Sequence, residues 1–182
     1  MSQLLVHQPL PLSNWGTWAK YAAATAAELN RKIREELEDF NKLEGGVTMD
    51  SAGPLWYRGL ANGSGAELSA HVDQLLKKHD VRHMVVGHTP TGGAVLPRFE
   101  GRVIQIDVGL SKLYRGTPAC LISEDSKLYA LHRGQRLELP AAQDGLSAYL
   151  KAAAALDPPP SPLHKLIQAI SSGRELSASQ EP

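Results

Sequence analysis

Two histidines each follow a short apolar run directly, His7 after Leu4-Leu5-Val6 and His88 after Met84-Val85-Val86. An imidazole at the C-terminal end of a buried strand stands where open α/β sheets place their sites, and Gly87 lets backbone come close to a metal or a phosphate. Each can be a metal ligand; the alternative for His88 is a turn histidine satisfied by backbone, and taken alone His7 reads first as a loop histidine near a chain end. Arg58, in Gly53-Pro-Leu-Trp-Tyr-Arg-Gly59, sits between aromatic anchors and glycines that can present its guanidinium fork to a phosphate; its alternative is stacking on Trp56 or Tyr57. Asp107 follows the apolar run Val103 to Ile106 and precedes Gly109, so its carboxylate can orient a ligand histidine or simply make an Asp turn. His79 and His83 have the His-x-x-x-His spacing of a zinc pair on a helix, but Asp80-Val81 marks a helix exit between them. Cys120, in Ala-Cys-Leu-Ile, reads as a buried small hydrophobe. The sequence has no Gly-rich phosphate loop, Gly-x-Ser-x-Gly elbow or Cys-x-x-Cys pair.

These residues need elements to hold them. Gln3 to Val6 reads as a buried strand stopped by Pro9 and Pro11. From Thr17 to Leu43 the apolar spacing becomes helical, with Gly45-Gly46 as the stop. Ser51 to Leu60 reads as a loop with apolar anchors. Gly65 to Lys78 reads as a second helix, with Leu68, Val72, Leu75 and Leu76 on one side and cations at its C-terminal end. Val81 to Val86 is a strand, and Ala94 to Pro97, Val103 to Ile106, Pro118 to Ser123 and Lys127 to His132 read as a mixed or antiparallel set. Helices early and strands late indicate an α+β layered fold. Residues 1–139 are expected to form the domain, 140–156 a helix, and 157–182, opening on Pro-Pro-Pro and rich in Ser, Gln and Glu, a largely disordered tail with one turn of helix near Leu163 to Ile170.

Composition narrows the partners. The 182 residues carry 19 Lys+Arg against 19 Asp+Glu, which leaves no basic surplus for nucleic acid or an anionic membrane. A single cysteine excludes an internal disulfide or a thiolate cluster. No run suits a signal peptide or a membrane span, so the expected setting is soluble and cytoplasmic, with oligomeric state open.

As a set, Val6-His7, Asn30-Arg31, Gly53-Pro-Leu-Trp-Tyr-Arg-Gly59, Val85-Val86-Gly87-His88-Thr89-Pro90-Thr91, Ile104-Gln105-Ile106-Asp107-Val108-Gly109 and Tyr114-Arg115-Gly116 resemble, in order, the C-terminal half of calcineurin-like metallophosphoesterases. The resemblance is to the branch of Shewanella-like phosphatases, relatives of the serine/threonine phosphoprotein phosphatases, and spans residues 3 to 132. It implies part of a four-layer α/β/β/α sandwich whose loop ends hold two divalent metals, manganese, iron or zinc. Their bridging hydroxide attacks phosphorus in line, in the two-metal manner. By resemblance, His7 and His88 are ligands of the second metal, Arg58 grips the substrate phosphate, Tyr114 borders the same pocket and Asp107 supports the ligands. The implied partner is a phosphorylated substrate, a phosphoprotein or a small phosphoester.

The departures from that family are equally specific. Its Gly-Asp-x-His-Gly, Gly-Asp-x-x-Asp-Arg-Gly and Gly-Asn-His-Glu motifs are absent, and Gln8-Pro9 replaces the Gly-Gly after the first histidine. Two imidazoles without a carboxylate hold a dication weakly, so this chain by itself is expected to be inactive, with no catalytic residue of its own and with its metal pair incomplete or not bound. It reads as a truncated phosphatase or, alternatively, as an inactive remnant that binds phosphate or a protein partner. Truncation would leave unpaired strand edges and exposed apolar surface.

Overall fold

Three short apolar segments, Leu4–Val6 (β1), His83–Val86 (β2) and Val103–Gln105 (β4), run parallel side by side, and Leu96–Arg98 (β3) closes the far edge antiparallel, giving the order β1-β2-β4-β3. The computed structural model describes residues 4–6, 26–114 and 116–172. They divide into two compact units, Gln8–Leu60 and the combination of Met1–His7 with Ala61–Pro182.

In the larger unit, consecutive residues of β2 and β4 are buried, Met84, Val85 and Val86 facing Val103, Ile104 and Gln105. Alternate residues of a strand point to opposite sides, so an unbroken buried run means that both faces are covered. On one side Val85 and Ile104 join a core with Ala119, Ala130 and Leu139 and with Leu146, Tyr149, Leu150 and Ala153. Helix α3 (Gly65–His79), which follows the short helix α2 (Gly59–Asn62), is tied to the same sheet by side chains. Arg98 of β3 donates to Gly63 O at 2.6 Å, and Arg102, just before β4, reaches Ser69 Oγ at 2.9 Å and Asp73. Its buried stripe is His71, Val72, Leu75 and Leu76, two turns of helical spacing. The helix ends in a Schellman turn: Asp80 takes φ 50, its N–H bonds to Lys77 O, and Val81 N–H bonds to Leu76 O. Val81 is spent on that cap, which is why β2 starts at His83 and not at Val81.

The second sheet is an antiparallel meander, β5 (Ala119–Glu124), β6 (Lys127–His132) and β7 (Gln135–Glu138). Its turns are Asp125-Ser126 and Arg133-Gly134, with all four φ values positive, the geometry that matches strand twist in two-residue hairpins. Strand β7 was not separated in the sequence. Cys120 is exposed, a correction to its reading as a buried hydrophobe: Ala119 faces the core at this position of β5 and Cys120 takes the opposite face.

The expected helix at 140–156 is a 3-10 turn, Gln143–Gly145, leading into α4 (Leu146–Leu156). Of the segment expected as a loose tail, residues 157–172 are described, and they contain helix α5 (Leu163–Ser171), whose Leu163 is fully buried. A buried polar cluster fixes its start. The Asp157 side chain, wholly out of solvent, accepts from Arg133 Nε at 2.6 Å, from Ser161 Oγ at 2.7 Å and from His132 Nε2 at 3.0 Å.

The smaller unit is organised by one carboxylate. Helix α1 (Ala26–Glu38) covers part of the expected 17–43 helix; residues 17–25 lie outside the described residues, and Asp39 leaves helical geometry to cap the 3-10 turn Phe40–Lys42. Glu36 Oε1 and Oε2 accept from Val47 N–H at 3.0 Å and Thr48 N–H at 2.7 Å. Trp56 Nε1 then donates to Thr48 O at 2.9 Å. Among the described residues no helix is long and apolar enough to cross a membrane. Together the elements are an α+β arrangement of two small sheets with helices.

Burial pushes the Asp157 carboxyl up, but the hydrogen bonds from Arg133, Ser161 and His132 outweigh it and leave the group below the ordinary carboxylate value. A depressed folded pKa gives stability that is complete above the unfolded pKa and is lost as pH falls through the folded one. Acid unfolding below about pH 4 is therefore expected to be steeper for the natural chain than for Asp157→Asn. At neutral pH, Asp157→Ala is expected to cost about 2–4 kcal/mol, because it strands the His132 and Arg133 donors. Urea unfolding across pH checks both; equal acid slopes would contradict the assignment.

Candidate functional site

Because β2 and β4 are parallel neighbours, their C-terminal ends lie at one end of the sheet. Val86 pairs with Gln105, and Ile106 N–H continues the ladder to Val86 O at 2.9 Å. The two loops that leave there are stitched together. Thr91 N–H donates to Asp107 O at 2.8 Å, and Thr91 Oγ1 lies 2.5 Å from Ala94 O and 3.1 Å from Asp107 O. Asp107 Oδ1 accepts from Gly109 N–H at 3.2 Å, so this carboxylate makes an Asp turn in addition to anything else it orients. His88 and Asp107 thus follow adjacent parallel strands, a pairing that the sequence, which placed each only at a strand end, did not specify. Strand β1 runs parallel on the other side of β2 with Val6 opposite Val85, and ends on the same side; His7 lies outside the described residues.

His88 is exposed and holds φ 61. The left-handed region costs a non-glycine residue about 1–2 kcal/mol, and such strain gathers where a side chain must be aimed. Its neighbours Thr89 and Thr91 are buried. Two buried polar groups at this end of the sheet have no hydrogen-bond partner among the described residues: Thr89 Oγ1, and both amide atoms of Gln105, a residue only 1% exposed. An orphaned buried polar group costs about 1–3 kcal/mol, which makes each of them conspicuous in a native fold. Neither was singled out from sequence, since Gln105 lies in an apolar run and Thr89 in a turn.

Tyr114 closes the 3-10 turn Lys112–Tyr114 and packs over the loop of Asp107. Gly109, at φ 70, is held so closely that a Cβ there would lie 2.6 Å from Tyr114 Cβ. Leu110, Leu113 and Tyr114 are exposed, which gives this loop an apolar surface.

Arg58 belongs to the smaller unit, and His88, Asp107 and Tyr114 to the larger. Its loop is tightly built. Tyr57 N–H and Trp56 N–H both bond Gly53 O, and a Cβ at Gly59 would meet the Tyr57 hydroxyl at 1.9 Å, so a side chain at position 59 requires the Tyr57 ring to move aside. Arg58 Nη1 donates to Leu55 O at 2.9 Å, and its guanidinium stands 5.9 Å from the Trp56 ring centroid. The approach to Trp56 is the stacking alternative read for this residue. Burial draws its pKa below the ordinary value, which leaves an arginine charged at neutral pH.

His79 ends α3 and His83 begins β2, where its Nδ1 lies 2.8 Å from Gly101 O; the pair does not share a helix face. Among the described residues no group of three or more His, Cys, Asp or Glu side chains is placed to hold a metal ion.

No protein-family model matches the chain. An uncharacterized protein of Schizosaccharomyces pombe is 40% identical over 112 residues, 59% of this chain and 31% of the yeast protein. The crystal structure of a cold-active protein-tyrosine phosphatase of a psychrophilic Shewanella species superposes with a TM-score of 0.61 at 26% identity, covering 75% of this chain and 40% of the phosphatase. A mutant of the cold-active enzyme matches to the same degree. The chain thus spans about a third of the length of the yeast protein and two fifths of the phosphatase, and shares the fold of that part of a phosphatase.

The close approach at Gly109 yields a direct check. Gly109→Ala is expected to lose about 1–3 kcal/mol in urea unfolding and to shift the Tyr114 ring resonances, because φ 70 and the Tyr114 contact both resist a methyl group. An unchanged midpoint with unmoved Tyr114 signals would show that this loop is not fixed as described.

Proposed function

We propose that this chain forms one wall of the active site of a calcineurin-like metallophosphoesterase of the Shewanella-like type, hydrolysing phosphate monoesters. The observation that carries the proposal is the strained, exposed His88 beside Asp107 at the shared end of β2 and β4, in a fold that superposes on part of a phosphatase. His7 and His88 would hold the second of two divalent metals, manganese, iron or zinc. Arg58 would grip the substrate phosphate with Tyr114 at its border, and Asp107 would keep the rim in place. The two sheets with α3 on one side and α4 and α5 on the other would be this chain's share of an α/β/β/α sandwich, with 1–139 as the phosphoesterase segment. A phosphoprotein or a small phosphoester would serve as substrate.

The residues fit such a metal site in part. The chain offers imidazoles suited to borderline divalent ions, and orphaned polar groups, Thr89 Oγ1 and the Gln105 amide, at the same end of the sheet. It lacks the carboxylate ligands of a complete pair, which in this reading come from the portion of such a phosphatase that the chain does not match. A bound metal pair would supply charge neutralisation on the phosphoryl oxygens and a water made acidic enough to act at neutral pH. The chain's own contribution would be a rigid imidazole, a planar cation for the phosphate and an apolar rim.

The shortage of carboxylates also favours a second reading, a non-catalytic module that binds phosphate or a protein partner through Arg58 and His88. Two measurements on the purified chain separate them: inorganic phosphate binding by 31P NMR, and hydrolysis of p-nitrophenyl phosphate with manganese. Arg58→Ala is expected to weaken phosphate binding about 10–100-fold, the loss of one charge-assisted contact, and Arg58→Lys by less. His88→Ala is expected to weaken manganese binding. Phosphate binding without turnover supports the module; phosphate and manganese binding that ignore both substitutions would remove both readings.

A further inference from the structure

The loop that follows His88 contains Gly92-Gly93, at φ 78 and 123, two residues with the widest backbone freedom, at the place where the rim has to be held still. Besides the Thr91 N–H to Asp107 O bond, the loop is fastened by the Thr91 hydroxyl, whose single proton is shared between Ala94 O and Asp107 O. The start of α5, together with Thr117, stands behind Gly93, while Gly92 faces open space. A Cβ at Gly93 would lie 3.3 Å from Pro162 Cγ, 3.3 Å from Thr117 Oγ1 and 3.7 Å from Leu163 Cδ2. Pro162 and Leu163 in turn have little freedom. Ser161 Oγ donates to Asp157 Oδ2 at 2.7 Å and accepts from Leu163 N–H at 3.1 Å, while Asp157 Oδ1 is gripped by His132, the last residue of β6, and by Arg133 of the turn that follows.

We infer that the buried Asp157–Ser161 latch is a positioning device for the His88 rim. It holds the first turn of α5 against Gly93, and so keeps Ala94 where the Thr91 hydroxyl can bind it and Asp107 together. Ser161 is its central positioning residue, because one hydroxyl both completes the Asp157 carboxylate and caps the helix that carries Leu163. Opening the latch frees Gly92-Gly93, lengthens the Thr91 bonds and lets the loops of His88 and Asp107 part. The segment 157–163 thereby controls a rim to which it contributes no ligand. This goes beyond the phosphatase reading and holds whatever the rim binds.

Amide hydrogen exchange in the full chain tests it without reference to any activity. In the natural chain, Leu163 N–H reports the latch, Thr91 N–H the rim, and Tyr129 N–H, in the middle of β6, global unfolding. Leu163 and Thr91 are expected to exchange through one shared opening, with the same dependence on low urea, faster than the opening that exposes Tyr129. Ser161→Ala is expected to speed Thr91 exchange tenfold or more beyond any change at Tyr129, and Ser161→Thr, which keeps the hydroxyl, to restore it. Thr91 exchange that is indifferent to Ser161→Ala, or that moves only in step with Tyr129, would overturn the inference. If the alanine variant does not fold, separate openings for Leu163 and Thr91 in the natural chain would overturn it equally.

Discussion

Everything at the candidate site depends on one pairing, that of β2 with β4 as parallel neighbours. A parallel pair brings two chain segments out at the same end, whereas an antiparallel pair would have sent the loops of His88 and Asp107 to opposite ends. The pairing is bought by burial: with both faces of Val85 and Ile104's strands covered, the backbone groups must be satisfied within the sheet, and a slip of one residue would carry the Gln105 side chain across to the other face. The ladder's last bond, Ile106 N–H to Val86 O, already belongs to the site, and Thr91 adds the next. Sheet and rim are one continuous hydrogen-bonded structure.

How far this was legible in the sequence follows from which interactions are local. Strands β2 and β4 were visible because strands buried on both faces are mostly apolar, here Met84-Val85-Val86 and Val103-Ile104, and α3 because a one-sided helix shows its stripe and its terminal cations. Strand β7 was not, since Gln135–Glu138 buries no residue fully and its only announcement is the Arg133-Gly134 turn. Cys120 shows the limit of apolar runs as a guide: Ala-Cys-Leu-Ile looks fit for burial on both sides, but only one face of the meander is covered. The helix at Leu163 showed in the sequence only as one turn near Leu163 to Ile170, shorter than the nine residues it spans, because Pro158 to Pro160 and the Ser-rich end flank a segment of which one residue is fully buried.

For the site, residue types and strand ends sufficed to pick His88, Asp107 and Arg58, since each choice rests on what a side chain can do at a given kind of position. What no pattern could supply is how they are held. Thr91 matters through carbonyls 3 and 16 residues away, and Asp157 through donors 24 and 25 residues back. Neither leaves a periodicity or a spacing, because side-chain bonds across the fold obey geometry and not sequence separation. The same holds for Gly109, whose necessity lies in what presses on it.

Strain and support are complementary here. His88 occupies a backbone region that a non-glycine residue resists, so on its own the loop would relax. The surrounding bonds over-determine it: a β ladder below, Thr91 beside it, and a helix start braced by a buried carboxylate behind Gly93. A free glycine at position 88 would have needed none of this, and would have aimed nothing. An exposed imidazole kept in a costly conformation by buried polar bonds is a side chain whose direction matters, and that physical asymmetry is stronger ground for a binding role than the identity of the residue.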